Sequence, residues 1–176
     1  MNGAAYVHMT TTEGPVTREA WYGRQERRFV WQQGETEILY DLDGKGTKTV
    51  AGEGAGVPLS RGEREWVLGR IGEMLRIDGS PVPRAEAPAL QPVEASGALL
   101  EYKVVMGPSG VGGTLERAGG DERLLRVDPA TRRIHSREFT DWNVIEQKSR
   151  TYRIDTYVYP SEMEFREQVE RFSSVK

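Results

Sequence analysis

Cysteine is absent from the 176 residues of this chain. Its absence excludes a disulfide framework, a metal site built on thiolates and a cysteine nucleophile. It does not decide the compartment, because extracytoplasmic domains of bacteria often lack cysteine too. Histidine is scarce: His8 and His135 are the only two, and neither has a second histidine or a carboxylate at a metal-binding spacing. We expect both to face solvent from strands, and we expect no cofactor.

The sequence also lacks long apolar runs and an excess of charge of one sign. No apolar run approaches the length that spans a bilayer. The 24 basic and 27 acidic residues give a net charge of −3 and are interspersed, which argues against a nucleic-acid-binding surface. With 37% apolar and 29% charged residues, the chain is typical of a polar globular protein. We therefore predict a single domain over residues 1–176.

The first nine residues, MNGAAYVHM, have neither the basic start nor the apolar stretch of a secretion signal. Strand-like residues follow within a few positions of Met1. We therefore expect that a targeting segment or membrane anchor of the full-length protein lies outside this sequence. The alternative is a cytoplasmic protein.

Alternating apolar and polar residues predict antiparallel strands along most of the chain. Residues 4–50 are typical of a meander of about five strands, and residues 122–160 of three more. Asp128-Pro129 has the chemistry of the turn between the first two of these three strands. In the third, Tyr152, Ile154, Thr156 and Val158 fall on one face. Connections this short join antiparallel neighbours.

A capping box predicts the start of a helix over residues 60–76, with Ser60 as the N-cap and Glu63 three residues later. Val67, Ile71 and Leu75 then fall on one helical face. Three internal glycines weaken this helix by about 1 kcal/mol each relative to alanine, so burial of the apolar face must hold it in place.

A second capping box, Ser161 with Glu164, predicts a short amphipathic helix at the end of the chain. Between the two helices, proline-rich residues 80–96 favour an extended connector that joins two halves of one sheet. A strand is predicted at 98–106.

The glycine-rich residues 107–114, GPSGVGGT, resemble the phosphate loop of nucleotide-binding enzymes. In that loop a lysine reaches the phosphates, but Gly113 occupies its position here. A flexible hairpin loop is therefore the better interpretation, and an enzyme that binds phosphate or a nucleotide here is the weakest of three functional hypotheses. Asp41 and Asp43 lack the Glu that a calcium-binding loop needs at its twelfth position, which is Gly52, so a turn is favoured.

Several short motifs resemble the LolA/LolB-like superfamily. This superfamily includes lipoprotein carriers of the outer membrane and the periplasmic sensor domains of anti-sigma-factor regulators. The motifs lie in order along both halves of the chain: EAWY at 19–22, RRF at 27–29, EILYD at 37–41, RVD at 126–128, TRRI at 131–134 and IDTYVYP at 154–160.

The resemblance implies a mainly β (α+β) fold: an unclosed antiparallel barrel or strongly curved sheet, with two or more helices packed on its concave side. It implies an apolar cavity and no catalytic residues. Our first hypothesis is thus a non-enzymatic, periplasmic or otherwise extracytoplasmic domain that binds a lipid, an acyl chain or a lipoprotein, as a carrier or an envelope sensor. The alternative is a regulatory module that binds a partner protein, associated with anti-sigma factors, without a small ligand.

The glycine-weakened helix favours an open cavity over a filled one. Such a helix could shift at low cost, and its glycines leave it short of the bulk needed to fill a deep concavity. We predict an apolar pocket beside this helix. Its lining residues would come from three strands and the helix: Trp31, Ile38, Tyr40, Ile71 and Ile154.

Overall fold

The computed structural model describes residues 4–54, 56–77, 79, 89–93, 98–105, 122–143 and 148–173. Within these residues eleven strands form one antiparallel sheet, and two helices pack on it. The strands are β1 (Tyr6–Glu13), β2 (Val16–Gly23), β3 (Arg28–Gln33), β4 (Thr36–Asp41), β5 (Thr47–Val50), β6 (Val57–Pro58), β7 (Ala89–Pro92), β8 (Leu100–Val105), β9 (Glu122–Val127), β10 (Ile134–Asn143) and β11 (Lys148–Val158). The helices are α1 (Arg61–Leu75) and α2 (Glu162–Ser173).

The sheet consists of two meanders that meet at its centre. Its strand order is β6-β5-β4-β3-β2-β1-β11-β10-β9-β8-β7, so the first and last strands of the chain pair with each other. In that central pair Thr11 lies opposite Asp155. Strands β6 and β7 end the sheet on opposite sides and do not pair, so the sheet stays open. The predicted fold class, a mainly antiparallel, unclosed sheet with helices, is confirmed.

The three strands predicted in residues 122–160 are β9, β10 and β11, and they pair antiparallel in chain order. The turn between β9 and β10 uses Asp128 as expected. Its Oδ1 accepts hydrogen bonds from the backbone N–H groups of Ala130 and Thr131, at 2.8 and 3.2 Å. The five strands predicted in residues 4–50 are also confirmed, as β1 to β5.

Helix α1 begins at the predicted capping box. The Ser60 hydroxyl accepts from the backbone N–H of Glu63, and the Glu63 carboxylate accepts from the N–H of Ser60 at 2.9 Å. The buried side of α1 carries Val67, Ile71 and Met74. These side chains pack on one face of the sheet, called the α1 face below. The core formed there includes Val7, Met9, Ala20, Phe29, Tyr40, Leu125, Ile134 and Tyr157.

Helix α2 lies on the opposite face of the sheet, although we expected both helices on one side. Its Phe165, Val169 and Phe172 form a second buried cluster with Tyr6, Val30 and Leu39. The reason lies in strand alternation, since Tyr6 and Val7 are both apolar and both buried but point to opposite faces. A sheet that is apolar on both faces needs a cover on each.

Burial of Ile71 predicts the first effect on stability. Ile71→Ala should lower the free energy of unfolding by about 2–5 kcal/mol, since it removes a buried side chain from the α1 face. Urea denaturation followed by far-UV circular dichroism measures this. Leu68→Ala is the matched control on the same helix, because Leu68 is 49% exposed. Equal midpoints for the two variants would contradict the packing of α1.

Part of the proline-rich connector joins the sheet. Ala89–Pro92 forms β7 and pairs with β8, while residues 80–88 and 94–96 lie outside the described residues. The N–H of Val93 donates to the carbonyl of Glu101 on β8. Because neighbouring residues of a strand direct their N–H groups to opposite sides, an N–H at position 92 would point away from the sheet, and Pro92 has none. Proline fits an edge strand at such a position. The predicted phosphate loop, 107–114, also lies outside the described residues.

Candidate functional site: an apolar groove beyond the end of α1

Helix α1 covers only part of its face, and an apolar groove lies beyond its C-terminal end. A helix of 15 residues is about 22 Å long, whereas eleven strands extend over about 48 Å. The groove lies over β7 to β10 and has a volume of about 550 Å³. It is lined by Ile77, Leu90, Leu100, Tyr102, Leu125, Val127, Asp128, Pro129, Arg132 and Ile134.

Strand register aligns the apolar side chains of the groove. Leu100 lies opposite Val127, and Tyr102 lies opposite Leu125, so all four share the α1 face. Leu125 is fully buried and forms part of the floor, whereas Leu100 is 39% exposed on the wall. The groove therefore has a dry floor and accessible apolar walls, as sites for apolar ligands do.

The wall at Ile77 is positioned by the end of α1. Arg137, on β10, donates hydrogen bonds from Nη1 to the carbonyl oxygens of Glu73, at 3.1 Å, and Arg76. The last turn of α1 carries no basic residue of its own. The guanidinium therefore supplies the positive charge that stabilises the C-terminal end of a helix. It also fixes the end of α1, which places Ile77 beside the groove.

Arg137 belongs to an ion network buried between α1 and the sheet. Its Nη2 donates to Asp155 Oδ2 at 2.8 Å, and both side chains are inaccessible to solvent. Arg153 and Thr11 each donate to Asp155 Oδ1 at 2.8 Å. Arg153 also pairs with Glu73 of α1. Burial alone would lower the pKa of Arg153, but its bonds to Asp155 and Glu73 raise it above its ordinary value. Charge pairing thus ties the helix to the sheet.

The polar residues of the groove lie at its mouth, in the turn between β9 and β10. Hydrogen bonds from the backbone N–H groups of Thr131 and Ala130 lower the pKa of Asp128, so this carboxyl stays ionised. Arg132 is exposed, and its backbone has a positive φ of 56°. Within the described residues its guanidinium has no ion pair. The mouth therefore carries the Asp128 carboxylate, which is hydrogen-bonded within its turn, and the Arg132 guanidinium, which has no ion pair among the described residues.

Four of the five residues predicted to line a pocket meet under α1. Tyr40 and Ile71 are buried there, and Trp31 and Ile38 pack against the same core. The ring of Trp66 packs among them, 5.7 Å from that of Trp31 and 5.9 Å from that of Tyr40. A gap of about 10 Å³ remains beside Trp31, enough for about one water molecule. None of the four lines the groove.

The fifth residue, Ile154, lies on the opposite face of the sheet and is 38% exposed. In β11 the buried residues are Asp155 and Tyr157, so the apolar alternation at 152–158 marks the outer face. Sequence reasoning did not select the groove residues. Leu100, Tyr102, Leu125, Val127 and Ile134 fell within predicted strands, whereas Leu90 fell within the predicted connector. The useful signal was length, because one helix of 15 residues is too short to cover this sheet.

Histidine placement differs from expectation at one of the two positions. His135 is exposed as predicted, but His8 is partly buried and stacks on Trp21 with 3.9 Å between ring centroids. Burial lowers the pKa of His8, and its Nε2 lies 3.1 Å from Glu19. In the described part of the chain no group of three histidine or acidic residues could hold a metal.

Comparisons with known proteins give little similarity. No protein-family model matches the sequence, and no curated protein matches it significantly. Among solved structures, the chain is weakly similar to MucB, in the crystal structure of MucB in complex with MucA(peri). The TM-score is 0.36 and the sequence identity 13%, over 91% of this chain and 53% of the MucB chain. The chain thus spans about half the length of that protein. Across the described ranges, neither helix is long and apolar enough to cross a membrane.

Proposed function

We propose that this protein is a non-enzymatic binding domain whose groove over β7 to β10 takes an apolar chain, such as an acyl chain of a lipid or lipoprotein. The observation that supports this most is the groove itself. Its volume of about 550 Å³ lies within the range of about 300–1,000 Å³ typical of small-ligand sites. Its floor is buried, and its exposed walls are leucines that a ligand would remove from water.

Membership of the LolA/LolB-like superfamily and an extracytoplasmic location, as a carrier or envelope sensor, are part of this proposal. Both are supported by the sequence motifs at residues 19–41 and 126–160. They agree with the open antiparallel sheet, in which β1 and β11 are neighbours. Fractionation of cells that make the protein tests the location directly.

The edge of the sheet beside the groove favours an alkyl chain as the ligand over a peptide that would add a strand to the sheet. Among the described strands, β7 is the outermost beside the groove, but Pro92 removes one of its outward N–H groups. A peptide that extended the sheet at β7 would find few main-chain hydrogen bonds there. Affinity in the groove must therefore come from burial of apolar surface.

A series of uncharged alkyl maltosides tests the proposal. Each added CH₂ contributes about 0.8 kcal/mol when buried, so affinity should rise by up to about fourfold per carbon until the groove is full. Titration calorimetry below the critical micelle concentration measures this increase. Leu100→Trp should block binding, because the indole would occupy the groove from its wall.

Val158→Trp is the matched control, since Val158 is 58% exposed on the opposite face of the sheet. It should bind the maltosides as the wild type does. Affinity that is independent of chain length, or equal binding by the two tryptophan variants, would refute the groove as the site.

A protein-binding module is the second candidate, and the exposed apolar side chains of α1 favour it. Trp66, whose ring packs against Trp31 and Tyr40, is still 39% exposed, and Leu68 is 49% exposed. Arg70 lies over the Trp66 ring at 5.5 Å. Exposed tryptophans held in place by neighbours are frequent anchors in protein interfaces. A photo-crosslinking residue at position 66 or 100 distinguishes the candidates. Protein adducts from position 66 would support this module, and lipid adducts from position 100 would support the groove.

A further inference from the structure

Arg132 lies at the mouth of the groove in a backbone conformation that arginine rarely adopts. Its φ of 56° is in the left-handed region, where glycine and asparagine are the usual residues. The N–H of Arg132 donates to the carbonyl of Asp128 at 2.8 Å, so the conformation is fixed by the turn. A glycine would fit this backbone without strain, and the presence of arginine therefore points to a use for its side chain.

Arg27 provides an internal comparison. It is the other described non-glycine residue with a positive φ, at 53°, and it lies in the turn between β2 and β3. Its Nη1 lies 3.7 Å from Asp43 Oδ1. Arg132 has no such carboxylate partner among the described residues, although it lines an apolar groove. Arg27 thus has a carboxylate partner within the chain. Arg132 lies at a groove where a ligand could supply the carboxylate.

Two other charged groups of the turn, Asp128 and Arg133, are already engaged. Asp128 accepts the N–H groups of Ala130 and Thr131 and is not within ion-pair distance of Arg132. Arg133 stacks over the ring of Tyr159 at 4.8 Å. His135 follows on β10 and is exposed. Among the described residues, Arg132 is the one arginine or lysine that lines the groove, and it has no ion pair there. Its planar fork suits a carboxylate.

We propose that Arg132 is a specificity-determining residue that makes the groove select single-chain amphiphiles with a carboxylate head, of the kind that free fatty acids present. This inference rests on the proposed apolar-chain function. The charge at the mouth favours a singly charged head, because the ionised Asp128 beside Arg132 would repel a doubly charged phosphate. The alkyl chain lies on the floor formed by Leu125 and Ile134, and the carboxylate meets Arg132.

Four probes with the same alkyl chain test the selection: dodecanoate, dodecyl phosphate, dodecyl maltoside and dodecyltrimethylammonium, each below its critical micelle concentration. Wild-type protein should bind dodecanoate about tenfold more tightly than the maltoside, the gain expected from one charge-assisted contact. The trimethylammonium probe should bind most weakly. Added salt should reduce the preference, because the contact is at the surface.

Arg132→Gly separates the side chain from the backbone. This variant should be at least as stable as wild type, because glycine accepts the left-handed turn, yet its preference for dodecanoate over the maltoside should fall to about one. Arg132→Lys should keep only part of the preference, because an ammonium keeps the charge but lacks the planar fork. Arg27→Gly removes the same charge from the same backbone conformation away from the groove, and should leave the preference unchanged.

The outcomes separate this inference from the function beneath it. If no probe binds, the proposed function fails and the inference fails with it. If the four probes bind equally, or if Arg132→Gly keeps the tenfold preference, the inference alone is wrong. Tightest binding of dodecyl phosphate would overturn the choice of a carboxylate head.

Discussion

Asp155→Ala will lower the free energy of unfolding by about 3–5 kcal/mol, because it leaves a buried guanidinium without its carboxylate. Asp155 is inaccessible to solvent, and it accepts from Arg137 and Arg153 at 2.8 Å and from the Thr11 hydroxyl. Three donors lose at once an acceptor that is itself inaccessible to solvent. Urea denaturation of wild type and variant measures the loss.

Asp43→Ala is the control for this experiment, since Asp43 is an exposed carboxylate paired with an exposed arginine. This substitution should change the free energy of unfolding little, because surface ion pairs usually contribute little to stability. The double variant Arg137→Met with Asp155→Leu should lose less free energy of unfolding than the sum of the losses of the single variants Arg137→Met and Asp155→Leu. In the double variant neither charge of this pair remains buried alone. A loss for Asp155→Ala no greater than that for Asp43→Ala would contradict the buried network.

Phe165→Ala will lower the free energy of unfolding by a similar amount, about 3–5 kcal/mol, the usual loss for a buried phenylalanine. Phe165 is fully buried where α2 meets the sheet, with its ring 5.2 Å from that of Tyr6. Its ring also lies against Gly23, where a Cβ would come within 2.5 Å of it. The site is therefore closely packed and leaves a cavity when the ring is removed.

Met163→Ala is the matched control on α2, because Met163 is 67% exposed. It should leave the unfolding midpoint near that of wild type. If the two α2 variants unfold together at the wild-type midpoint, α2 does not cover the second face of the sheet.

Local signals in the sequence predicted the elements well. Both capping boxes, Ser60 with Glu63 and Ser161 with Glu164, mark helix starts because their hydrogen bonds form within four residues. The turn at Asp128 and the pairing of β9 to β11 follow from equally local chemistry. Where the physical cause lies within one turn or one hairpin, the sequence is sufficient.

The placement of elements on faces was harder to predict. Tyr6 and Val7 are both apolar, so alternation cannot decide which face receives α1 and which receives α2. In β11 the apolar Ile154 is exposed and the charged Asp155 is buried, since partners distant in sequence, Thr11 and Arg137, satisfy the carboxylate. Such partners are invisible to a local pattern.

The candidate site was missed for a related reason. The five residues we selected lie near α1 or on the outer face, whereas the groove lies where α1 no longer covers the sheet. Its position depends on the length of the helix, the number of strands and the order β11 to β7. These are properties of the whole sheet. They follow from the sequence only once all the strand pairings are known.

The central claim is that the groove over β7 to β10 binds an apolar chain. Methyl NMR during titration with dodecyl maltoside tests this claim most directly. We expect shifts for the methyl groups of Leu100, Leu125, Val127 and Ile134, which line the groove. We expect no shift for Val158 on the opposite face. Shifts confined to Ile38 and Ile71 under α1, or no saturable shift at all, would contradict it.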